Sequence, residues 1–229
     1  MLYPSGALNS DNANVTTIRT NKNVDIKGYN PLALDDPNFA AGVDSDASDH
    51  EGITGFVNYL LHPSAMAADS AHRDLANRTW ARHHPEAAAQ GLSLTKLRGM
   101  KRRIMETVEQ LDLDLSTAAI AFMYLENLIR RGAVTKHNRR AIAGVCLVLA
   151  AKINEPKEQE LAMVIRTVAQ DMEVSEAEIR ARELAVYVAL EFQVFCRVDD
   201  IQVHLQRALS MYGEEGTTKK AYFPPVAFV

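Results

Sequence analysis

The sequence has little of what the simplest functional assignments require. It has two cysteines, Cys146 and Cys196, both in apolar surroundings and without CxxC spacing. That pattern excludes a disulfide framework or a four-thiolate zinc site and reads as buried, reduced thiols of an intracellular protein. The longest stretch without a polar side chain, Ala141–Ala151, is eleven residues, well under the roughly 18 of a membrane helix. The N-terminal "MLYPSGALNSDNANVTTIRT" has no basic segment ahead of an apolar core, so no signal peptide is expected. Without secretion, the sequons Asn14-Val15-Thr16 and Asn77-Arg78-Thr79 are chance matches.

Catalytic signatures are missing as well. There is no GxGxxG, no glycine-lysine phosphate loop and no nucleophile elbow, and "GEEGTTKK" near the C-terminus has the wrong spacing for phosphates. The reading is a non-enzyme with no cofactor and no metal. His83 and His84 are adjacent, so their side chains leave a helix in different directions. "DSDASDHEG" has the acidity of a calcium loop, but the sixth-position glycine is Asp49 and the twelfth-position glutamate is Gly55.

Charge of one sign is also lacking. The chain has 25 basic and 29 acidic residues, net −4. Residues 1–91 hold 6 and 11 of these, net −5, whereas residues 92–212 hold 17 and 16, net +1. Lys101–Arg103, Arg130-Arg131 and Arg139-Arg140 suggest a basic patch. The near-balance argues against nucleic acid as a partner, and these side chains read as solvated helix surface.

Residues 1–28 are polar and poor in large apolar residues, a composition that predicts a disordered tail. "YNPLALDDPNF", Tyr29–Phe39, places Tyr29, Leu32 and Leu34 between prolines, as anchors of an extended segment laid over a folded surface. Tyr29 alternatively reads as a docking or phosphorylation site. Residues 29–91 form an extension with short helices that packs on the domain after it: Ile53–Pro63 is a short helix or strand, and a second segment carrying Leu75 and Trp80 on a helical pattern stops at Pro85.

Helical periodicity dominates residues 92–212, ahead of a tail at 213–229. Leu94, Leu97, Ile104, Val108 and Leu111 define a first helix with Lys101, Arg102 and Arg103 turned outward. A second starts at Ser116 or Thr117 and stops at Gly132. The third, from Thr135 or Asn138, contains the apolar run and ends in Lys152, Asn154, Glu155 and Pro156. A fourth spans about Lys157–Met172, with Leu161, Val164, Ile165, Val168 and Met172 on one face. A fifth opens on the capping box Ser175-Glu178 and runs to about Glu191, and a short sixth runs from about Asp199 to Gly213. An all-round apolar helix must be surrounded by others. The expectation is all-α, a five-helix bundle around a central third helix, with an N-terminal extension.

That order resembles a single cyclin box. "LVLAAKINEP" stands where cyclins have a sequence close to "LLASKFEE", "ELAVYVALEF" resembles their fifth helix, and "AIAFMYLENLI" resembles their second. With "YNPLALDDP", "LTKLRGMKRRI" and "TKHNRRAIAGVCLVLAAKI", the chain from Tyr29 to Met211 resembles the Cables family, cyclin-like linkers between cyclin-dependent kinases and Abl-type tyrosine kinases. The resemblance implies an intracellular adaptor, nuclear or cytoplasmic, whose partners are a cyclin-dependent-type protein kinase and a tyrosine kinase, with no membrane involved. It places Lys152 and Glu183 together on the kinase-facing surface. "MKRRIMETV" replaces the cyclin "MRAILVDW" segment that forms a substrate-docking groove, so docking of that kind is not expected. The alternative is a cyclin-fold transcription or nucleic-acid-associated assembly factor.

Overall fold

In the computed structural model, the described residues are Pro31, Ala33, Leu34, 70–155 and 160–213. The expected tail at 1–28, the expected tail at 213–229 apart from Gly213, Tyr29, Leu32, the acidic loop and the Ile53–Pro63 segment lie outside them. Helices α1 (Ser70–His83) and α2 (Pro85–Ala89) come first, followed by α3 (Leu94–Gln110), α4 (Leu115–Arg130) and α5 (Arg139–Asn154). Then come α6 (Leu161–Met172), α7 (Glu176–Ala189) and α8 (Val198–Gly213). No strand occurs among the described residues.

α5 is the centre of a five-helix bundle, packing against α3, α4, α6 and α7. Every residue from Ala141 to Ala151 is buried. Gly144 sets the closest approach: a Cβ there would stand 3.1 Å from Val168 and 3.3 Å from Met172. α6 therefore lies nearly against the α5 backbone, which is what a small residue at a helix crossing permits. α8 packs along α4, on the far side from α7 in the sequence order, and is sixteen residues long, not short.

Several local expectations are corrected. α4 is capped by Asp114, whose carboxylate accepts from the Ser116 N–H at 2.7 Å, and not by Ser116 or Thr117. Those two hydroxyls bind the end of α5 instead. The Gly132 stop holds: its φ of +68° lets Gly132 N–H bond Ile129 and Ala133 N–H bond Leu128. Ser175 does cap α7, accepting from Glu178 N–H at 3.1 Å, but the helix ends at Ala189. Pro85 does not merely end α1; it is the first residue of α2.

Two supposed core positions are exposed. Leu75 is 61% and Leu161 is 37% accessible, because Ala76 and Trp80 carry the inward stripe of α1 and Val164, Ile165 and Val168 that of α6. Trp80 is fully buried, and its indole N–H donates to the Leu34 carbonyl at 2.9 Å. Leu34 itself is buried, so this part of the extension is packed on the helical body. Asn77 accepts from the Thr95 N–H and hydroxyl at 3.0 Å each, fastening α1 to the start of α3.

Lys101 is not turned outward. Burial removes the solvation of Glu126, which is 1% exposed, and Lys101 reaches across from α3 to bond it. The Lys101 ammonium also sits 5.4 Å from the Phe122 ring centroid. Fully buried His204 of α8 places Nε2 3.6 Å from the same carboxylate. Arg102 does face solvent, but Arg103 donates to the Asp171 carbonyl and to Glu173, at 2.8 Å each.

Candidate functional site

The polar end of α5 divides its side chains between two tasks. Asn154 and Glu155 turn inward to the first turn of α4. Asn154 donates to the Ser116 and Thr117 hydroxyls at 2.7 and 2.9 Å. Glu155 accepts from the Asp114 N–H at 3.0 Å and from the Thr117 hydroxyl. A carboxylate here is favoured by the positive end of α4, so this end of α5 caps a neighbouring helix as well as closing its own.

Lys152 turns the other way. Its ammonium bonds the Glu183 carboxylate of α7, with the two side chains 31% and 26% accessible. The structure therefore brings together both residues singled out in the sequence, thirty-one positions apart. They sit in a groove of about 480 Å³ between the end of α5, one face of α7 and the segment after α7. Leu149, Ile153, Leu184, Tyr187, Val194 and Phe195 supply its apolar lining, and Arg180 adds a cation.

Exposed apolar side chains line this groove (Leu184 and Phe195) and continue along the end of α7 (Val188 and Phe192). Leu184 is 70%, Val188 51%, Phe192 57% and Phe195 77% accessible. Single exposed apolar residues are ordinary, but a contiguous group marks an interaction surface. The backbone that presents it is held in a costly form. Glu191 and Phe192 have φ of +54° and +59°, a region rarely entered by bulky residues. The reversal closes α7 through Phe192 N–H to the Tyr187 carbonyl at 3.1 Å, and the Phe192 ring meets Tyr187 edge-on at 5.0 Å.

Two buried side chains, Tyr124 of α4 and Arg131 at its C-terminal cap, hold that reversal in place. The Tyr124 hydroxyl donates to the Val194 carbonyl. Arg131, expected as a solvated helix end, is 5% exposed; it donates to the Ala189 carbonyl at 2.9 Å and pairs with Glu191 at 2.8 Å. Sequence reading missed both. The signal was present only as a tyrosine inside "AFMYLENLI" and an arginine just before Gly132. Burial, then neighbouring Cys196, pushes the Tyr124 phenol far up, so it stays a donor. Burial likewise raises the Cys146 thiol and pushes Cys196 up to about 12, so neither offers a thiolate at neutral pH.

Of the expected anchors, Leu34 is placed by the structure, on Trp80 and away from this groove's lining. His83 closes α1, while the His84 ring lies 4.9 Å from that of Trp80. Among the described residues no group of three His, Cys, Asp or Glu is disposed to hold a metal, and no helix is long and apolar enough to cross a membrane.

Comparison with known proteins follows the same outline. The cyclin N-terminal domain family matches residues 75–195, more than half of the chain, from within α1 to the end of the groove segment. Human CDK5 and ABL1 enzyme substrate 1 is 30% identical over 185 residues, covering 80% of this chain and 28% of that protein. Human CDK5 and ABL1 enzyme substrate 2 is 27% identical over 185 residues, 80% of this chain and 37% of that protein. The mouse form of substrate 1 is 29% identical over 187 residues, 81% of this chain and 31% of that protein. The chain thus spans about a third of the length of these curated relatives. No solved structure matches it. With its bundle built on α5 and its sequence matched from α1 through the groove, the chain belongs to the cyclin N-terminal domain family, and the relatives it resembles there are the Cables proteins.

Proposed function

We propose that this chain is a non-enzymatic cyclin-box adaptor that docks a cyclin-dependent-type protein kinase on the groove around Lys152 and Glu183 and modulates it in cell-cycle control. The observation that carries the reading is the part-exposed Lys152–Glu183 pair in a groove shared with the exposed apolar side chains Leu184 and Phe195. An amphipathic partner helix suits such a surface: apolar anchors bury against these side chains, and the pair offers a donor and an acceptor to polar groups beside them. A protein kinase is switched by the position of one helix, whose glutamate must reach the ATP-site lysine. An adaptor that binds the inward position more tightly shifts the kinase towards it by that difference in affinity alone.

The names of the relatives, enzyme substrates of CDK5 and ABL1, support a link to a cyclin-dependent kinase and add a tyrosine kinase as a second partner. On this reading the adaptor meets its kinases in the nucleus or cytoplasm. Residues 29–91 act as an extension packed on a box at 92–212, fastened where Leu34 meets Trp80.

The test is capture of kinase from cell extract by the purified chain. Wild type is expected to retain a cyclin-dependent kinase, and Phe195→Asp or the exchange Lys152→Glu with Glu183→Lys is expected to reduce capture at least tenfold. Phe195 is largely exposed, so its substitution leaves the fold intact. Equal capture by all three proteins removes this face as the interface, and no kinase in any eluate removes the function.

A further inference from the structure

A second surface carries charge that the other described residues do not neutralise. Three cations converge where the turn before α3 meets the turn before α5. Lys96 Nζ donates to the Gly91 carbonyl at 2.6 Å. Lys136 lies over the same glycine: a Cβ on Gly91 would stand 3.1 Å from Lys136 Cβ, and the Lys136 N–H donates to the Gln90 carbonyl at 2.9 Å. The Arg139 guanidinium in turn donates to the Lys136 carbonyl. Their described partners are backbone oxygens, and among the described residues no carboxylate forms an ion pair with any of the three.

The three charges lie close enough to repel. Burial, then the fields of Arg139 and Lys136, hold the Lys96 ammonium below the ordinary lysine range. One residue further along α5 the molecule shows the opposite solution. Glu173 accepts from Arg103 at 2.8 Å and from Arg140, so one carboxylate serves two guanidinium groups. Among the described residues no acid does this for Lys96, Lys136 and Arg139. Lys136 is exposed and the other two are half-buried, so the cluster is reachable from solvent.

The charge and size of the cluster select its ligand. A phosphoryl group carries about −1.5 to −2 at neutral pH and three strong acceptor oxygens, enough to engage two ammonium groups and a guanidinium at once, where a carboxylate has one charge. A nucleic-acid track needs a longer run of cations than three, and residues 92–212 are only net +1. We propose that Lys96, Lys136 and Arg139 form a docking site for a phosphorylated side chain of a partner polypeptide.

The test measures fluorescence anisotropy of the full chain with a labelled phosphoserine peptide flanked by alanine and glycine, its unphosphorylated twin, and single-stranded DNA of equal length. Saturable binding of the phosphopeptide is expected, at least tenfold tighter than that of the twin or the DNA. Lys136→Glu with Arg139→Glu is expected to weaken it at least tenfold, while Lys136→Arg retains it. Should the double variant fail to fold by circular dichroism, the exposed Lys136→Ala is read instead, with a severalfold loss expected. The exchange at Lys152 and Glu183 is expected to leave phosphopeptide affinity unchanged, which separates this site from the groove. Absence of saturable binding, equal binding of the unphosphorylated twin, tighter binding of DNA, or indifference to the charge-reversing variants would overturn the proposal.

Discussion

Among the described residues two lysine–glutamate pairs of identical chemistry stand in opposite surroundings. Lys101–Glu126 bridges α3 and α4 with the glutamate 1% and the lysine 14% accessible. Lys152–Glu183 bridges α5 and α7 with 31% and 26% accessible. In the first, the low dielectric makes the loss of either partner costly, since the charge left behind has little water to replace it. In the second, water solvates both ends, the pair adds little to stability, and its members are free to exchange one another for a partner's groups. The same two residue types thus secure the fold in one place and remain available for binding in the other.

Glu126→Ala breaks that comparison most directly. It deprives Lys101 of its carboxylate and His204 of a neighbouring charge, with an expected loss of about 3–5 kcal/mol in urea unfolding. Replacing both partners, Lys101→Met with Glu126→Leu, is expected to recover most of that loss. A double variant as unstable as the single one would show that the pair itself, and not the stranded charge, holds α3 to α4.

Thr117→Val is an intermediate case. It deletes a hydroxyl that both donates to Glu155 and accepts from Asn154, costing about 1–3 kcal/mol in thermal or urea unfolding. Glu183→Ala is expected to cost less than about 1 kcal/mol. A larger loss would make the exposed pair structural and weaken its reading as an interface. The smallest effect belongs to Glu173. Arg103, by hydrogen bond and charge, and then Arg140 hold its carboxyl below the usual range. A carboxyl depressed in the folded state contributes stability above its unfolded pKa, about 4.3, and loses it as pH falls through the lower folded value. Acid unfolding profiles of wild type and Glu173→Gln are therefore expected to differ at neutral pH and to converge only once the pH has fallen through the lowered folded value. Parallel profiles would show that the arginine contacts do not depend on the charge.

Much of the fold was legible because helical period and burial are local signals. The stripe Leu94, Leu97, Ile104, Val108 and the apolar run of α5 are all buried as their spacing requires. Lys152 and Glu183 were legible by resemblance, although nothing local relates positions in different helices. Polar residues were where reading failed. Ser116 and Thr117 look like helix caps in sequence, yet the end of α5 claims their hydroxyls and Asp114 caps in their place. Arg131 and Lys101 look solvated, yet one binds the end of α7 and the other a buried carboxylate. A polar side chain buries only where a distant partner compensates it, and the sequence does not state which partner that is.

The exposed apolar side chains show the same limit. Leu184, Val188, Phe192 and Phe195 are hydrophobic residues that periodicity alone would assign to a core. Phe192 and Phe195 are presented by the left-handed turn at Glu191 and Phe192, held by Tyr124 of α4 and Arg131 at its C-terminal end, while Leu184 and Val188 lie on the outer face of α7. The sequence by itself determined that this chain is helical, which helix is central, and where most helices start and stop, since those depend on neighbours a few residues apart. Tertiary structure decided which charges are buried, which hydrophobes face water, and that Lys152 points into a groove while Asn154 and Glu155 point away from it. Those outcomes depend on groups tens of residues distant, brought within 3 Å only after the helices pack.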